Sequence, residues 1–220
     1  MTITRWTCPI TGLAMLACLT GCVANSRIEH VCSDAAAGPR TYVFICPDDS
    51  SYVVRTTDCE AWIFRPGSGL QLDAVPAGGP LRHAHHDVHL IIDGENGVLS
   101  EPGKEPSTCR NDRRRAVWEH AKLDGVDFRG VGNEPPWVLE LRDQSRIVLI
   151  TDYGTNRVER PLPIPISGET FQTTRWDASD LQIEITAEAC HDTMSGELFS
   201  SRVVVYWQGR AFKGCGRPLH

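Results

Sequence analysis

After Cys22 the chain has no apolar run long enough to cross a bilayer as a helix, which takes about 20 consecutive residues. It also lacks the basic excess that nucleic acid or anionic lipid calls for, since 22 Lys and Arg stand against 28 Asp and Glu. None of its cysteines has the close paired spacing of a zinc site. Strand and helix signals nowhere alternate as a parallel sheet demands, and no repeat period argues for a solenoid. Met194-Ser195-Gly196 is not a nucleophile elbow, because Thr193 stands where that turn needs its first glycine. These absences turn the reading away from membrane-spanning, nucleic-acid-binding and cofactor-dependent classes, and no cofactor is expected.

What the sequence does have begins at its N-terminus. Arg5 precedes an apolar run from Ile10 to Leu19, too short for a spanning helix, and the run ends in Leu19-Thr20-Gly21-Cys22. Residues 1–21 therefore read as a cleaved signal peptide. A small-residue pair before cysteine resembles the lipobox of bacterial lipoproteins, which implies acylation of Cys22. Several acyl chains at about 0.8 kcal/mol per buried methylene make a stable anchor. By the same resemblance, Val23 in place of aspartate implies the outer membrane, with the protein facing the periplasm. Without the signal, 21 basic residues face 28 acidic ones, a net charge of −7. The expected partners are the bilayer, through the lipid, and a cationic protein rather than nucleic acid.

Six cysteines remain once Cys8 and Cys18 leave with the signal and Cys22 carries lipid: Cys32, Cys46, Cys59, Cys109, Cys190 and Cys215. In an oxidising compartment an even number reads as disulfides, although six cysteines allow about 15 pairings. Cys190 and Cys215 form the natural C-terminal pair, stabilising by about 3 to 4 kcal/mol on the chain-entropy account.

The expected fold is all-β: two small antiparallel β-barrel-like domains joined by a short helix. Residues 22–40 are small, polar and without period, a tether. Short apolar runs at 42–45, 52–54, 61–64, 70–72, 88–92 and 98–99, separated by turn signals, place a first β domain over 41–112. A stripe of Ala116, Val117, His120, Ala121 and Leu123, capped by Asn111 or Asp112, predicts a connecting helix over 113–125. Its Arg113-Arg114-Arg115 run reads as a solvated face. Alternating runs at 126–129, 137–141, 146–150, 181–185 and 203–207 then give a second β domain over 126–220.

Tyr42-Val43-Phe44-Ile45-Cys46-Pro47-Asp48, the stretch from Leu70 to Gly79 and Ser107-Thr108-Cys109-Arg110 resemble the membrane-bound lysozyme inhibitors specific for the C type, small lipoprotein β-barrels. The resemblance implies pairing of Cys46 with Cys109, which leaves Cys32 for Cys59. Inhibitors of that family insert a serine-containing loop and a downstream lysine into the lysozyme cleft. Here the loop is Ala77-Gly78-Gly79-Pro80-Leu81-Arg82, with glycine at the serine position and Arg82 near the tyrosine position, and the lysine position falls near Asp93. The implied function is thus an envelope binding module related to C-type lysozyme inhibitors, with inhibition weakened or lost, and no enzyme.

The second half carries Phe128-Arg129-Gly130-Val131-Gly132-Asn133-Glu134-Pro135-Pro136-Trp137, Cys190-His191-Asp192-Thr193-Met194-Ser195-Gly196 and Gly214-Cys215-Gly216. These resemble motifs of a family of uncharacterised bacterial envelope proteins, which brings no reaction with it. From the residues themselves, Asn133, Glu134, Asp192 and Ser195 are expected to gather as a polar pocket. An enzyme reading needs a base for Ser195, from His191 or His120. The plainer alternative has Asp192 and Ser195 satisfying turn amides and Glu134 pairing with Arg129.

His83, His85, Asp87 and His89 share one face if their segment is extended, with residue types suited to zinc or copper. Spacing of about 6.5 to 7 Å between alternate residues keeps a straight strand from closing on one ion, so a polar hairpin tip is the other reading and no metal is expected. An envelope enzyme and a metal-binding lipoprotein are the alternatives to the binding module.

Overall fold

Short strands with one apolar face must either close on themselves or be covered, and both solutions occur in this chain. The computed structural model describes residues 38–76, 78–167 and 172–220. The expected signal over residues 1–21, Cys22 and Cys32 lie outside the described residues.

Eight antiparallel strands close into a barrel in sequence order: β1 (Arg40–Ile45), β2 (Ser51–Thr56), β3 (Glu60–Arg65), β4 (Ser68–Ala74), β5 (Leu81–His85), β6 (Val88–Asp93), β7 (Asn96–Ser100) and β8 (Ser107–Asn111). Alternation sorts their side chains. On β2, Tyr52, Val54 and Thr56 are buried, and they join Phe44, Ile63, Leu72, Leu90 and Ile92 inside the barrel or at its ends. The seam is short, because β1 meets β8 only at Phe44 opposite Asn111 and Ile45 opposite Arg110. The Cys46–Cys109 disulfide lies one residue beyond. On the other side the Asn111 side chain continues the ladder, accepting from the Val43 amide at 2.9 Å and donating to Glu95 at 2.8 Å.

Helix α1 (Arg113–Leu123) starts where Asp112 accepts from the amides of Arg114 and Arg115 at 3.0 and 3.1 Å, an aspartate N-cap. Its buried residues are Ala116 and Ala121. Val117, expected on the apolar stripe, instead faces outward, and Trp118 turns toward the sheet that follows. Arg113, in the run read as a solvated face, ion-pairs with Glu95 at 2.6 Å.

The second assembly has nine strands in the order β12-β11-β10-β9-β19-β18-β15-β14-β13, all antiparallel. They are β9 (Val126–Asn133), β10 (Pro136–Arg142), β11 (Arg146–Thr151), β12 (Asn156–Pro161), β13 (Ile166–Ser167), β14 (Thr173–Ala178), β15 (Leu181–Thr186), β18 (Ser201–Trp207) and β19 (Arg210–Pro218). The hairpin β16 (Cys190–His191) with β17 (Leu198–Phe199) stands apart. This sheet is open and curls half-way to a barrel around Trp137, Leu139, Leu149, Ile183, Val205 and Phe212. The chain is all-β with one connecting helix. Among the described residues no helix is long and apolar enough to cross a membrane.

Candidate functional site

Two separate surfaces gather the residues singled out by sequence. On the barrel, Leu81 pairs with Ile92, which brings the 78–80 loop beside Asp93. Gly79, Pro80 and Asp93 line a surface groove of about 480 Å³ together with Arg40, Tyr42 and Glu95. Glu95 is spent on Asn111 and Arg113, whose hydrogen bonds, Arg113 first, hold its carboxyl below the usual range. Asp93 is exposed. Arg82 does not share the groove; its neighbour His83 is buried, so alternation sends Arg82 to the outer wall opposite Ile91.

The histidine segment is no single strand. His86 and Asp87 form the turn between β5 and β6, with His86 at φ +50°. His83 lies opposite Leu90 inside the barrel, 2% exposed, whereas exposed His89 lies opposite Ala84 on the outer wall. The expected shared face of His83, His85, Asp87 and His89 is therefore broken by the hairpin. Burial pushes the His83 imidazole below its usual range, against the opposing effect of a hydrogen bond to the Thr57 backbone.

In the sheet, alternation resolves the glycine-rich motifs into two jobs. Phe128, Gly130 and Gly132 face inward on β9, while Arg129 and Asn133 face outward. Gly214 and Gly216 face inward on β19, while Cys215 faces out to Cys190. A Cβ at Gly214 would stand 2.0 Å from the Val131 carbonyl and 2.8 Å from the Trp137 ring, and one at Gly216 would stand 2.7 Å from Phe128. The glycines make room for the two aromatics. Trp137, in turn, donates its indole N–H to the Lys213 carbonyl at 3.4 Å.

The outward residues build a rigid loop. Asn133 donates to one oxygen of Asp192 at 2.6 Å, and the other oxygen accepts from the Met194 amide, the Ser195 amide and the Ser195 hydroxyl at 3.1, 2.6 and 2.7 Å. These bonds, led by the Ser195 amide, hold the Asp192 carboxyl below its usual range. Gly196 takes φ +70° and returns its amide to the Asp192 carbonyl at 2.9 Å. Cys190–Cys215 staples the base of the loop. Asn133, Asp192 and Ser195 are thus brought together, whereas Glu134 is exposed in the turn containing the cis Glu134–Pro135 bond. Ser195 donates to a carboxylate, and among the described residues it has no hydrogen bond to a histidine. His120 is engaged elsewhere, 3.0 Å from the Thr41 hydroxyl and 3.4 Å from Asp124, which also holds Arg55 at 2.6 Å. That chain ties the helix to the barrel.

The expected Glu134–Arg129 pair is replaced by Glu140, which register places opposite Arg129 on the adjacent strand. Glu140 is 4% exposed and also takes Arg142 in two bonds of 2.9 and 2.7 Å. Trp118 of α1 covers this cluster, with the Arg129 guanidinium 5.7 Å and the Arg217 guanidinium 4.3 Å from its ring. Arg217 pairs with Glu197 at 2.9 Å, so the rigid loop and the helix share a clasp. Neither Trp118 nor Arg217 was a sequence candidate, and only their neighbours across strands reveal them.

Cys59 is also disulfide-bonded, and Cys32, its expected partner, lies outside the described residues. Comparison with protein-family models, curated proteins and solved structures finds no match.

Proposed function

We propose that this protein is a lipid-anchored binding module of the outer membrane, related to C-type lysozyme inhibitors, whose barrel contacts a cationic protein without filling its active cleft. The observation that carries the reading is the groove where the 78–80 loop meets Asp93. Gly79 and the Asp93 carboxylate line it, with Gly78 one residue before the lining, where an inhibitor would offer a hydroxyl and an ammonium. A carboxylate cannot donate to the enzyme's catalytic carboxylates. Losing one partner of a buried charged contact costs about 2 to 5 kcal/mol, so two such losses amount to several orders of magnitude in affinity. The mature chain at net charge −7 still attracts a cationic enzyme at low salt.

Muramidase inhibition, measured at low and at physiological salt, tests this. The expected outcome is salt-sensitive binding without inhibition, with inhibition restored in Gly78→Ser plus Asp93→Lys. Gly78 suits the test, since among the described residues, its chain neighbours aside, nothing lies within 4 Å of a Cβ there, whereas Gly79 at φ +101° would strain any side chain. Tight inhibition by the unmodified protein at physiological salt sinks the reading.

A further inference from the structure

The outer face of the curled sheet carries two grooves that share a residue. One, of about 550 Å³, runs from Asn133 and the stapled loop to Tyr206. The other, of about 600 Å³, continues from Tyr206 to Arg175 and Arg210. Tyr206 is 41% exposed, an aromatic at the junction of a polar track.

The sheet register fixes what surrounds it. Gln182 lies beside Tyr206 on β15, and Asp177 beside Gln182 on β14. One row along, Lys213, Val204, Glu184 and Arg175 follow one another across four strands. Lys213 is exposed and carries no hydrogen bond or ion pair from its side chain among the described residues. The Cys190 disulfide and the Asn133–Asp192 bond hold the wall of the first groove in place.

This composition selects among ligand classes. Strand β18 is paired on both sides, so its backbone is spent and a peptide cannot add to it as a strand. Interleaved Asp177 and Glu184 oppose a polyphosphate, and the polar floor does not suit an apolar molecule. Arg175 donates to Asp177 and Gln182 to Glu184, each at 2.8 Å, and the N–H groups and carboxylate lone pairs left over match hydroxyls, each of which donates and accepts, while an exposed ring offers a flat face to a sugar. Two grooves of about 550 and 600 Å³ that share Tyr206 leave room for several linked units.

We propose that this face binds a linear oligosaccharide bearing carboxylates, with a sugar ring stacked on Tyr206 and a carboxylate at Lys213. The site is independent of the barrel groove and of any lysozyme contact, so its failure leaves that reading untouched.

Calorimetry with the full chain tests it, using two probes: a tetramer of N-acetylglucosamine, and a tetrasaccharide alternating N-acetylglucosamine with N-acetylmuramic acid. The carboxylate-bearing probe binds more tightly. Tyr206→Ala and Tyr206→Leu each weaken both probes about tenfold or more, the leucine variant keeping an apolar side chain without a flat ring. Lys213→Ala weakens only the carboxylate-bearing probe, by about threefold. Tyr153→Ala, at a 90% exposed tyrosine in the Asp152–Gly154 turn, changes neither. Absence of binding at millimolar probe, unchanged affinity in folded Tyr206→Leu, or equal loss in Tyr153→Ala overturns the proposal.

Discussion

Asn133 and Asp192, 59 residues apart in sequence, meet through a 2.6 Å hydrogen bond that fixes the stapled loop to the end of β9. A hydrogen bond to a charged group contributes about 1.5 to 3 kcal/mol. Asn133→Ala should therefore destabilise the protein by about that amount. Asp192→Ala, which also abandons two amides and the Ser195 hydroxyl, should cost more. Urea unfolding of both variants decides it, and an equal or smaller loss in Asp192→Ala would show that the loop does not depend on its carboxylate.

His83 makes stability sensitive to acid. Its imidazole is held below the usual 6.5 in the folded barrel by burial, so the unfolded chain binds the proton first. The stabilisation is complete above about pH 6.5 and is lost as pH falls through the depressed folded value. Denaturant midpoints should decline below about pH 6.5 in the wild type, and His83→Leu should flatten that limb, aided by removal of an Nδ1 that has no hydrogen-bond partner among the described residues. An unchanged slope in His83→Leu would assign the acid sensitivity elsewhere.

Glu140 stands between two arginines, and its removal leaves both without their shared counter-charge. Breaking a buried pair from one side costs about 3 to 5 kcal/mol, whereas replacing both partners with apolar residues is often neutral. Glu140→Ala should fall in that range, and Glu140→Leu with Arg129→Met should recover part of it, Arg142 still lacking its counter-charge. Thermal unfolding checks both. A double variant no better than the single would mean that Trp118 needs the Arg129 guanidinium for docking.

Cys22 lies outside the described residues, and its acylation remains a proposal from Leu19-Thr20-Gly21. Cys22→Ser should leave the precursor uncut or release the protein from membrane fractions. Processing and fractionation identical to wild type would remove the anchor.

Where strands alternate apolar with polar residues, as in Leu181-Gln182-Ile183-Glu184-Ile185, the sequence is enough to locate them. Strands β5, β8, β12, β14 and β19, and the two-residue β13, β16 and β17, escape that test. β5 buries a histidine, and β19 reads as loop because Gly214 and Gly216 yield their space to Trp137 and Phe128. That compensation lies on other strands. The gathering of Asn133, Asp192 and Ser195 follows from residue type and motif, since each can satisfy turn amides. Glu140 could not be chosen over Glu134 as the partner of Arg129 without the β9–β10 register. Tyr206 and Lys213 stayed hidden for the same reason, because their neighbours belong to three other strands.

The barrel seam, two register pairs with a disulfide beyond them, ties the quality of the fold to the place where it is made. Unlocked, the barrel becomes a ribbon whose first and last strands each offer unpaired backbone, and such edges recruit other chains. Thiol reduction should therefore promote self-association, visible as a rise in light scattering that Cys46→Ala plus Cys109→Ala reproduces without reductant. In a reducing compartment the seam would stay open, so oxidation of Cys46 and Cys109 would serve as the final step of the barrel's assembly.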